Sequence, residues 1–379
     1  MKKLFFSLAA TAIGFSAIAQ NTIDLGVIGR LDVAPNFYTG QDKGFAYSSG
    51  NSVVYTDLEA AFGEHVAFTW IGHWLDTSCD KVPFKTTPEL YKNSFYSVGN
   101  WTDFCYFDFM GGGFTFRLGK DCMALGGFEY DPYDWEVTHD MVSLLWQNLN
   151  CYQWGASLLY TTQSEQSTFQ LQAVSATNAG VNESQFSEDG ELLKWRPWHN
   201  GYGTYAFKYT GEYGPIYTSN AYGWMQTDGQ PLAGSATGIE FLTLSLTGEC
   251  CDQFSIGVEW QNRRNTAIKL QSAKDFFNQS CKALLKLDYT PSDKFELQIV
   301  GGYERIGIES EFVNWMEEEQ ALNHWNVGAS FYYFPLKNSR DLRLHATVAG
   351  SNHIYTSYTQ GISATIGILY NYTFHLLDK

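Results

Sequence analysis

Apolar and polar residues alternate with a period of two along most of this chain. In the stretch KFELQIVGGYER, Phe295, Leu297 and Ile299 share one side of an extended chain. Glu296 and Gln298 share the other side. The same alternation recurs in QFSIGVEWQN, DLRLHATVAG and ISATIGILYNYTF. Because successive side chains of a strand point to opposite faces, this pattern predicts β strands rather than helices.

The alternating segments predict an all-β chain of sixteen strands. Their predicted ranges are 23–33, 52–62, 66–76, 102–110, 114–123, 150–161, 168–177, 203–213, 216–226, 239–248, 254–263, 280–290, 295–306, 324–334, 342–351 and 361–374. No change in composition and no linker separates one group of segments from another. Residues 20–379 are therefore predicted to form a single domain.

The connections between the predicted strands alternate between short and long. Short turns include residues 63–65, residues 111–113 and the stretches GP, ECCDQ and PSDK. Long connections include APNFYTGQDKGFAYSSGN and NAGVNESQFSEDGELLKWRPWHN. Eight long loops and seven short turns alternate without a break, which is typical of a transmembrane antiparallel β-barrel with long extracellular loops and short periplasmic turns. The alternative all-β folds, a soluble sandwich or a secreted lectin, give no reason for this alternation.

The N-terminus and the composition favour export to a bacterial outer membrane. Residues 1–19 have a basic start (MKK), an apolar middle and a small-residue site (AIA) at their end, which predicts a signal peptide. Aromatic residues make up 17% of the chain, and outer-membrane barrels carry aromatic girdles at both membrane interfaces. The net charge of −16 excludes nucleic acid as a partner, because phosphates would be repelled.

The third long connection is distinguished by its acidity. It begins within FRLGKDCMALGGFEYDPYDWEVTHDM and ends near residue 150. Connections of more than about 15 residues without secondary structure are uncommon in compact domains unless they are functional. The pattern therefore predicts a functional loop at this position.

The start of this connection also carries a family resemblance. The pair GK at 119–120 is followed by Ala124, by GG at 126–127 and by Glu129. This element resembles the GK…a.GG.E motif of the phosphate-selective porin O and P family of Gram-negative outer membranes. The resemblance implies a trimeric, sixteen-stranded diffusion channel whose third extracellular loop folds into the lumen and narrows the pore. The loop acids that would form this constriction are Glu129, Asp131, Asp134, Glu136 and Asp140.

A second resemblance lies near the C-terminus. The stretch TIGILYNY resembles the assembly signal of outer-membrane barrels, with polar Thr365 followed by Gly367, Tyr370 and Tyr372. The resemblance implies that the barrel-assembly machinery recognises the last strand. Many barrels end on an aromatic residue, whereas this chain continues past Phe374 with HLLDK. Outer-membrane lipid and lipopolysaccharide are further partners expected of such a barrel.

Charged residues of both signs fall on the predicted inner face. The basic residues predicted to line the pore wall are Arg30, Arg117, Lys208, Lys282, Lys286 and Arg343. Facing lipid at the midplane, an Arg or Lys would cost about 2–4 kcal/mol, which supports the inward assignment. Acids on the third loop and bases on the opposite wall would create a field across the constriction. The segment 126–142 contains no Lys or Arg, so weak selectivity that favours cations is predicted, rather than phosphate selectivity.

The leading functional hypothesis is a porin, without enzymatic activity, for passive diffusion of small hydrophilic solutes and ions. The chain has no GxSxG, HExxH, P-loop or dinucleotide-binding motif, and its seven cysteines show no metal-ligand spacing. Neither catalytic residues nor a metal or cofactor are therefore predicted. Three alternatives stay open. They are a phosphate- or anion-selective porin, a surface barrel that binds glycans through loops such as LLKWRPWHNGYG, and a barrel hydrolase.

Overall fold

The computed structural model describes thirteen parts of the chain, and the strands within them form one antiparallel sheet of seventeen strands. The described residues are 21–40, 44–48, 52–76, 102–132, 136–138, 143, 152–175, 203–227, 236–268, 278–308, 322–337, 339–352 and 358–378. The predicted signal peptide, residues 1–19, lies outside them. None of the described residues belongs to a helix with the length and hydrophobicity of a membrane span.

The seventeen strands have the following bounds. They are β1 (Asn21–Gly40), β2 (Gly44–Ser48), β3 (Val53–Phe62), β4 (Val66–Asp76), β5 (Thr102–Gly111), β6 (Phe114–Cys122), β7 (Tyr152–Thr161), β8 (Ser167–Ser175), β9 (Gly203–Tyr213), β10 (Ile216–Thr227), β11 (Ala236–Cys251), β12 (Phe254–Ile268), β13 (Asn278–Ser292), β14 (Phe295–Ile308), β15 (Leu322–Tyr333), β16 (Leu342–Ser351) and β17 (Tyr358–Asp378).

The sheet closes into a barrel because β1 pairs with β17. Their register extends from Thr22 opposite Asp378 to Gly40 opposite Tyr358. On its other edge, β1 pairs first with β3 and then with β2, so β2 and β3 share one position around the barrel. The result is a closed barrel of sixteen antiparallel strand positions. The predicted strand number and closure are both confirmed, and a closed sheet leaves no unpaired edge.

Several strands exceed their predicted ranges, and two of the unpredicted strand segments pair with β1. Residues 44–48, predicted as part of a loop, form β2 and pair with residues 34–38 of β1. The last strand continues through Asp378 instead of ending at Phe374, because its final residues pair with the start of β1. In both places the backbone N–H and C=O groups pair with a neighbouring strand, although the local residue pattern does not predict a strand there.

The outer face of the barrel is apolar, whereas the inner face carries buried polar and charged side chains together with two apolar clusters. Ile366 and Leu31 on the outer face are 70% and 63% exposed. Thr243, Lys282 and Glu304 on the inner face are at most 1% exposed. In the strands that carry these residues, the alternation therefore has the orientation predicted from the sequence. This is the arrangement that a barrel surrounded by hydrocarbon requires.

A turn of two glycines sets the register of β5 and β6. Gly112 and Gly113 have φ values of 60° and 83°, in the left-handed region that glycine adopts without a Cβ clash. A Cβ added to Gly113 would lie only 2.9 Å from the carbonyl oxygen of Thr161. The turn places Asp108 directly opposite Arg117, and a slip of one residue would send these two charges to the lipid face.

Five of the seven cysteines lie in the described residues, and all five are free thiols. They are Cys105, Cys122, Cys250, Cys251 and Cys281. Cys79 and Cys151 lie outside the described residues. Backbone pairing between β1 and β17, rather than a disulfide between described cysteines, joins the ends of the barrel.

Candidate functional site

The connection from β6 to β7 starts by packing against the inner side of β8 to β11. Met123 and Leu125 are buried in one apolar cluster with Val174, Met225 and Phe241. The backbone N–H of Ala124 donates to Oε1 of Gln172 at 2.8 Å, and Nε2 of Gln172 donates to the carbonyl oxygen of Cys122 at 2.9 Å. The chain therefore leaves β6 along the inner wall, since these partners project from the inner face of neighbouring strands.

Gly126 and Gly127 permit a close approach to this wall. Their φ values are 68° and 87°, so side chains at either position would strain the backbone. A Cβ on Gly127 would lie 2.4 Å from a carboxylate oxygen of Glu259. The GG pair that carried the family resemblance thus has a physical role, which is to bring the following amides onto Glu259.

Glu129 lies within a buried polar cluster on β12 and β13. Lys282 Nζ donates to Oε1 of Glu129 at 3.0 Å, and the backbone N–H of Ser143 donates to the same oxygen at 3.1 Å. Nε2 of Gln261 donates to the other carboxylate oxygen, Oε2. The carboxylate of Glu259 in turn accepts the backbone N–H groups of Phe128, at 2.6 Å, and of Glu129, at 3.3 Å. Both the side chain and the backbone of this segment are therefore bound to the wall.

Asp131 binds a neighbouring part of the wall on β9 and β10. Lys208 Nζ lies 2.6 Å from Oδ1 of Asp131. The Ser219 hydroxyl donates to Oδ2 at 2.7 Å, and the Tyr217 hydroxyl lies 3.5 Å from the same oxygen. Ser219 Oγ also accepts the backbone N–H of Gly127 at 3.1 Å. The segment from Gly127 to Asp131 is thus held by side chains from four strands, β9, β10, β12 and β13.

Residues 136–138 contact a different part of the wall, on β1, β15 and β16. Arg343 Nη1 donates to the carbonyl oxygen of Glu136 at 3.4 Å, and Arg30 Nη1 donates to the carbonyl oxygen of Val137. Thr138 Oγ1 forms hydrogen bonds with the hydroxyl groups of Ser330, at 2.7 Å, and Tyr332, at 2.8 Å. The described residues of this connection therefore touch the inner wall in two separate regions.

Arg30 belongs to a buried charge network beside this second region. Its guanidinium donates to Oδ2 of Asp32 from two nitrogens, at 2.8 Å and 3.0 Å. His345 Nε2 lies 3.0 Å from the other oxygen of Asp32. The side chains of Arg30, Asp32 and His345 are all 0% exposed. Because these groups orient one another, the Arg30 guanidinium is held in a defined position against the loop backbone.

All six basic residues predicted to line the pore have side chains on the inner face, but they differ in their partners. Lys208 and Lys282 contact loop acids, whereas Arg30 and Arg343 contact loop carbonyl oxygens. Arg117 instead binds the wall acids Asp108 and Asp121 at 2.8 Å and 3.1 Å. Lys286 lies 3.3 Å from Asp288. Of the five predicted loop acids, Asp134 and Asp140 lie outside the described residues.

Several neutral polar residues hold the loop against the wall, although the sequence predicted no such role for them. Hydrogen bonds between the loop and the wall are formed by Ser219 and Gln261, which belong to the wall, and by Thr138, which belongs to the loop. The alternation in QFSIGVEWQN predicts Gln261 on the inner face of β12, and alternation could have placed Ser219 on the inner face of β10 as well. It could not have identified their loop partners, because Ser219 and Asp131 are 88 positions apart along the chain. In the described residues, no group of three or more His, Cys, Asp or Glu side chains is arranged to hold a metal ion.

Comparisons with known proteins identify the fold. No protein-family model and no curated protein matches the chain. The outer-membrane channel DcaP of Acinetobacter baumannii is 10% identical with a TM-score of 0.58, covering 95% of this chain and 99% of that chain. OmpT of Vibrio cholerae in its trimer form is 12% identical with a TM-score of 0.57, covering 93% and 99%. An anion-selective porin from Comamonas acidovorans is 9% identical with a TM-score of 0.57, covering 93% and 100%. This chain has the fold of these outer-membrane barrels.

Proposed function

We propose that this protein is an outer-membrane porin through which small hydrophilic solutes and ions diffuse passively. The observation that carries the proposal is the closed barrel of sixteen strand positions, whose outer face is apolar and whose inner face carries charged residues of both signs. An apolar exterior suits a hydrocarbon environment, and a charged interior suits a water-filled path. The similar fold of an outer-membrane channel and of a porin supports the same function.

The connection between β6 and β7 is proposed to be the constriction of the pore. Its support is the set of contacts that join Glu129 and Asp131 to one part of the wall, and residues 136–138 to another. A segment bound at both places would cross part of the barrel cross-section. The acidic loop and the acidic chain as a whole favour weak selectivity for cations in a narrow channel with low-dielectric walls.

An anion-selective porin is the second candidate function. Arg30 and Arg343 bring two guanidinium groups to the inner wall beside the loop, and one protein of similar fold is described as anion-selective. Membership of the phosphate-selective porin O and P family belongs to the same proposal. Its support is the GK and GG element, of which Gly126 and Gly127 fit closely against the wall.

We further propose a homotrimer in the bacterial outer membrane, in contact with lipid and lipopolysaccharide. The trimer form of OmpT supports this assembly. Export would require removal of residues 1–19, and β17 would present its outward-facing aromatic residues to the barrel-assembly machinery. No catalytic role is assigned to any residue. A glycan-binding surface barrel and a hydrolase are the classes of protein that the test below separates from a porin.

The test is conductance of the purified protein in planar lipid bilayers. Stepwise, ohmic current increases are expected, together with a small reversal potential toward cations in a salt gradient. A heat-unfolded sample is the control and should give no steps. Folded protein that inserts but never conducts would contradict the porin proposal. A strongly anion-selective channel would favour the second candidate, and a saturable block by phosphate would favour the family's namesake selectivity.

A further inference from the structure

The carboxylates of Glu129 and Asp131 have little access to water. The side chain of Glu129 is 5% exposed and that of its partner Lys282 is 1% exposed. The side chain of Asp131 is 8% exposed and that of its partner Lys208 is 13% exposed. Each acid therefore forms a neutral ion pair at the surface between loop and wall, rather than presenting a charge to a solute path.

Further protein donors also bind the two carboxylates. Glu129 accepts from the Ser143 backbone and from Gln261 in addition to Lys282. Asp131 accepts from Ser219 in addition to Lys208. A carboxylate that attracts mobile cations needs a free side facing water, since a counter-charge at hydrogen-bond distance cancels most of its field beyond a few ångströms.

We infer that Glu129 and Asp131 are positioning residues that dock segment 127–131 on the wall, and that they do not set ion selectivity. This inference rests on the proposed channel function. It separates Glu129 and Asp131, which hold the loop in place, from any loop acid that influences ion selectivity. Removing one partner of a buried ion pair leaves the other charge uncompensated, which is strongly destabilising. Neutralising Glu129 or Asp131 should consequently loosen segment 127–131 and let it fluctuate within the pore.

The experiment compares E129Q and D131N with the matched control E212Q. Glu212 lies on an inward-facing position of β9, the strand that carries Lys208, but its side chain is exposed to water. All three substitutions remove one negative charge and keep the side-chain size. We expect E129Q and D131N to increase open-channel current noise, with a shift in reversal potential no larger than that of E212Q. The control should show wild-type noise.

A second measurement does not depend on conduction. Amide hydrogen exchange of segment 127–131 reports local opening, and we expect it to be at least about tenfold faster in E129Q and D131N than in wild type or E212Q. Heat-modified gel mobility checks that each variant is a folded barrel. If E129Q does not fold, K282M replaces it, because that variant breaks the same ion pair by removing the positive charge of the wall residue. The charge exchange E129K with K282E should partly restore slow exchange.

The outcomes separate this inference from the porin proposal. Faster exchange together with a reversal-potential shift no larger than that of E212Q supports the positioning role. Wild-type exchange rates in both variants overturn it, and so does a larger shift of the reversal potential toward anions. If wild-type protein does not conduct, the porin proposal fails, and the exchange rates alone then decide whether these acids dock the loop.

Discussion

The orientation of β14 leads to a quantitative prediction about two adjacent residues. Ile299 points outward and is 37% exposed, whereas Gln298 points inward and donates to Oδ1 of Asp288 at 2.9 Å. We expect Ile299→Arg to destabilise the barrel much more than Gln298→Arg. The same side chain is introduced in both variants, so the comparison isolates the face on which it lies.

The magnitude follows from the depth of Ile299 in the membrane. Ile299 is four positions beyond Phe295, where β14 begins. Four residues of strand extend about 13 Å, and a tilt of about 40° reduces this to about 10 Å along the membrane normal. An apolar band about 25 Å tall then places Ile299 close to the midplane, where Arg costs about 2–4 kcal/mol. A loss of about 3 kcal/mol is a change of roughly 150-fold in the folding equilibrium.

The inward variant should lose much less stability. An arginine at position 298 would face Asp288, and Glu296 lies on the same face of β14. A partly exposed pair of this kind contributes about 0–1 kcal/mol. The assay is denaturant unfolding of each variant in lipid vesicles, followed by tryptophan fluorescence and gel mobility. Equal stability of the two variants would refute the facing assignment, because a one-residue slip exchanges the faces.

Two further predictions concern packing and charge inside the barrel. Gly223→Ala should destabilise by about 1–3 kcal/mol, since the added Cβ would lie 2.3 Å from Cζ of Phe241. Gly29→Ala, where nothing beyond the adjacent residues lies within 4 Å of the added Cβ, is the control and should unfold at nearly the wild-type denaturant concentration. Arg117→Met should destabilise by about 3–5 kcal/mol by leaving the buried carboxylate of Asp108 without its partner. The measurement is the temperature at which the gel mobility changes from that of the folded barrel to that of the unfolded chain. We expect this temperature to be lower in Arg117→Met than in wild type, and an unchanged temperature would contradict the prediction.

The residue pattern alone is enough to predict the strands and the direction in which their side chains point. Alternation with a period of two is a local property, so Phe295 and Glu296 can be assigned to opposite faces without knowledge of any other strand. The alternation of long and short connections then determined that the strands are antiparallel and close into a barrel. Closure needs no additional signal, since an open strand edge is costly in lipid.

Which charges meet inside the barrel depends on its three-dimensional structure. Glu129 and Lys282 are 153 positions apart along the chain, and Arg30 and Val137 are 107 apart. The closed wall and the path of the connection bring these groups together, and no local pattern specifies that path. Tertiary pairing also extended β17 beyond Phe374, because the start of β1 offers its backbone groups there. The acidity of the loop is therefore evident from the sequence. The pairing of Glu129 and Asp131 with lysines of the wall is not, because it depends on distances that are set by the closed barrel.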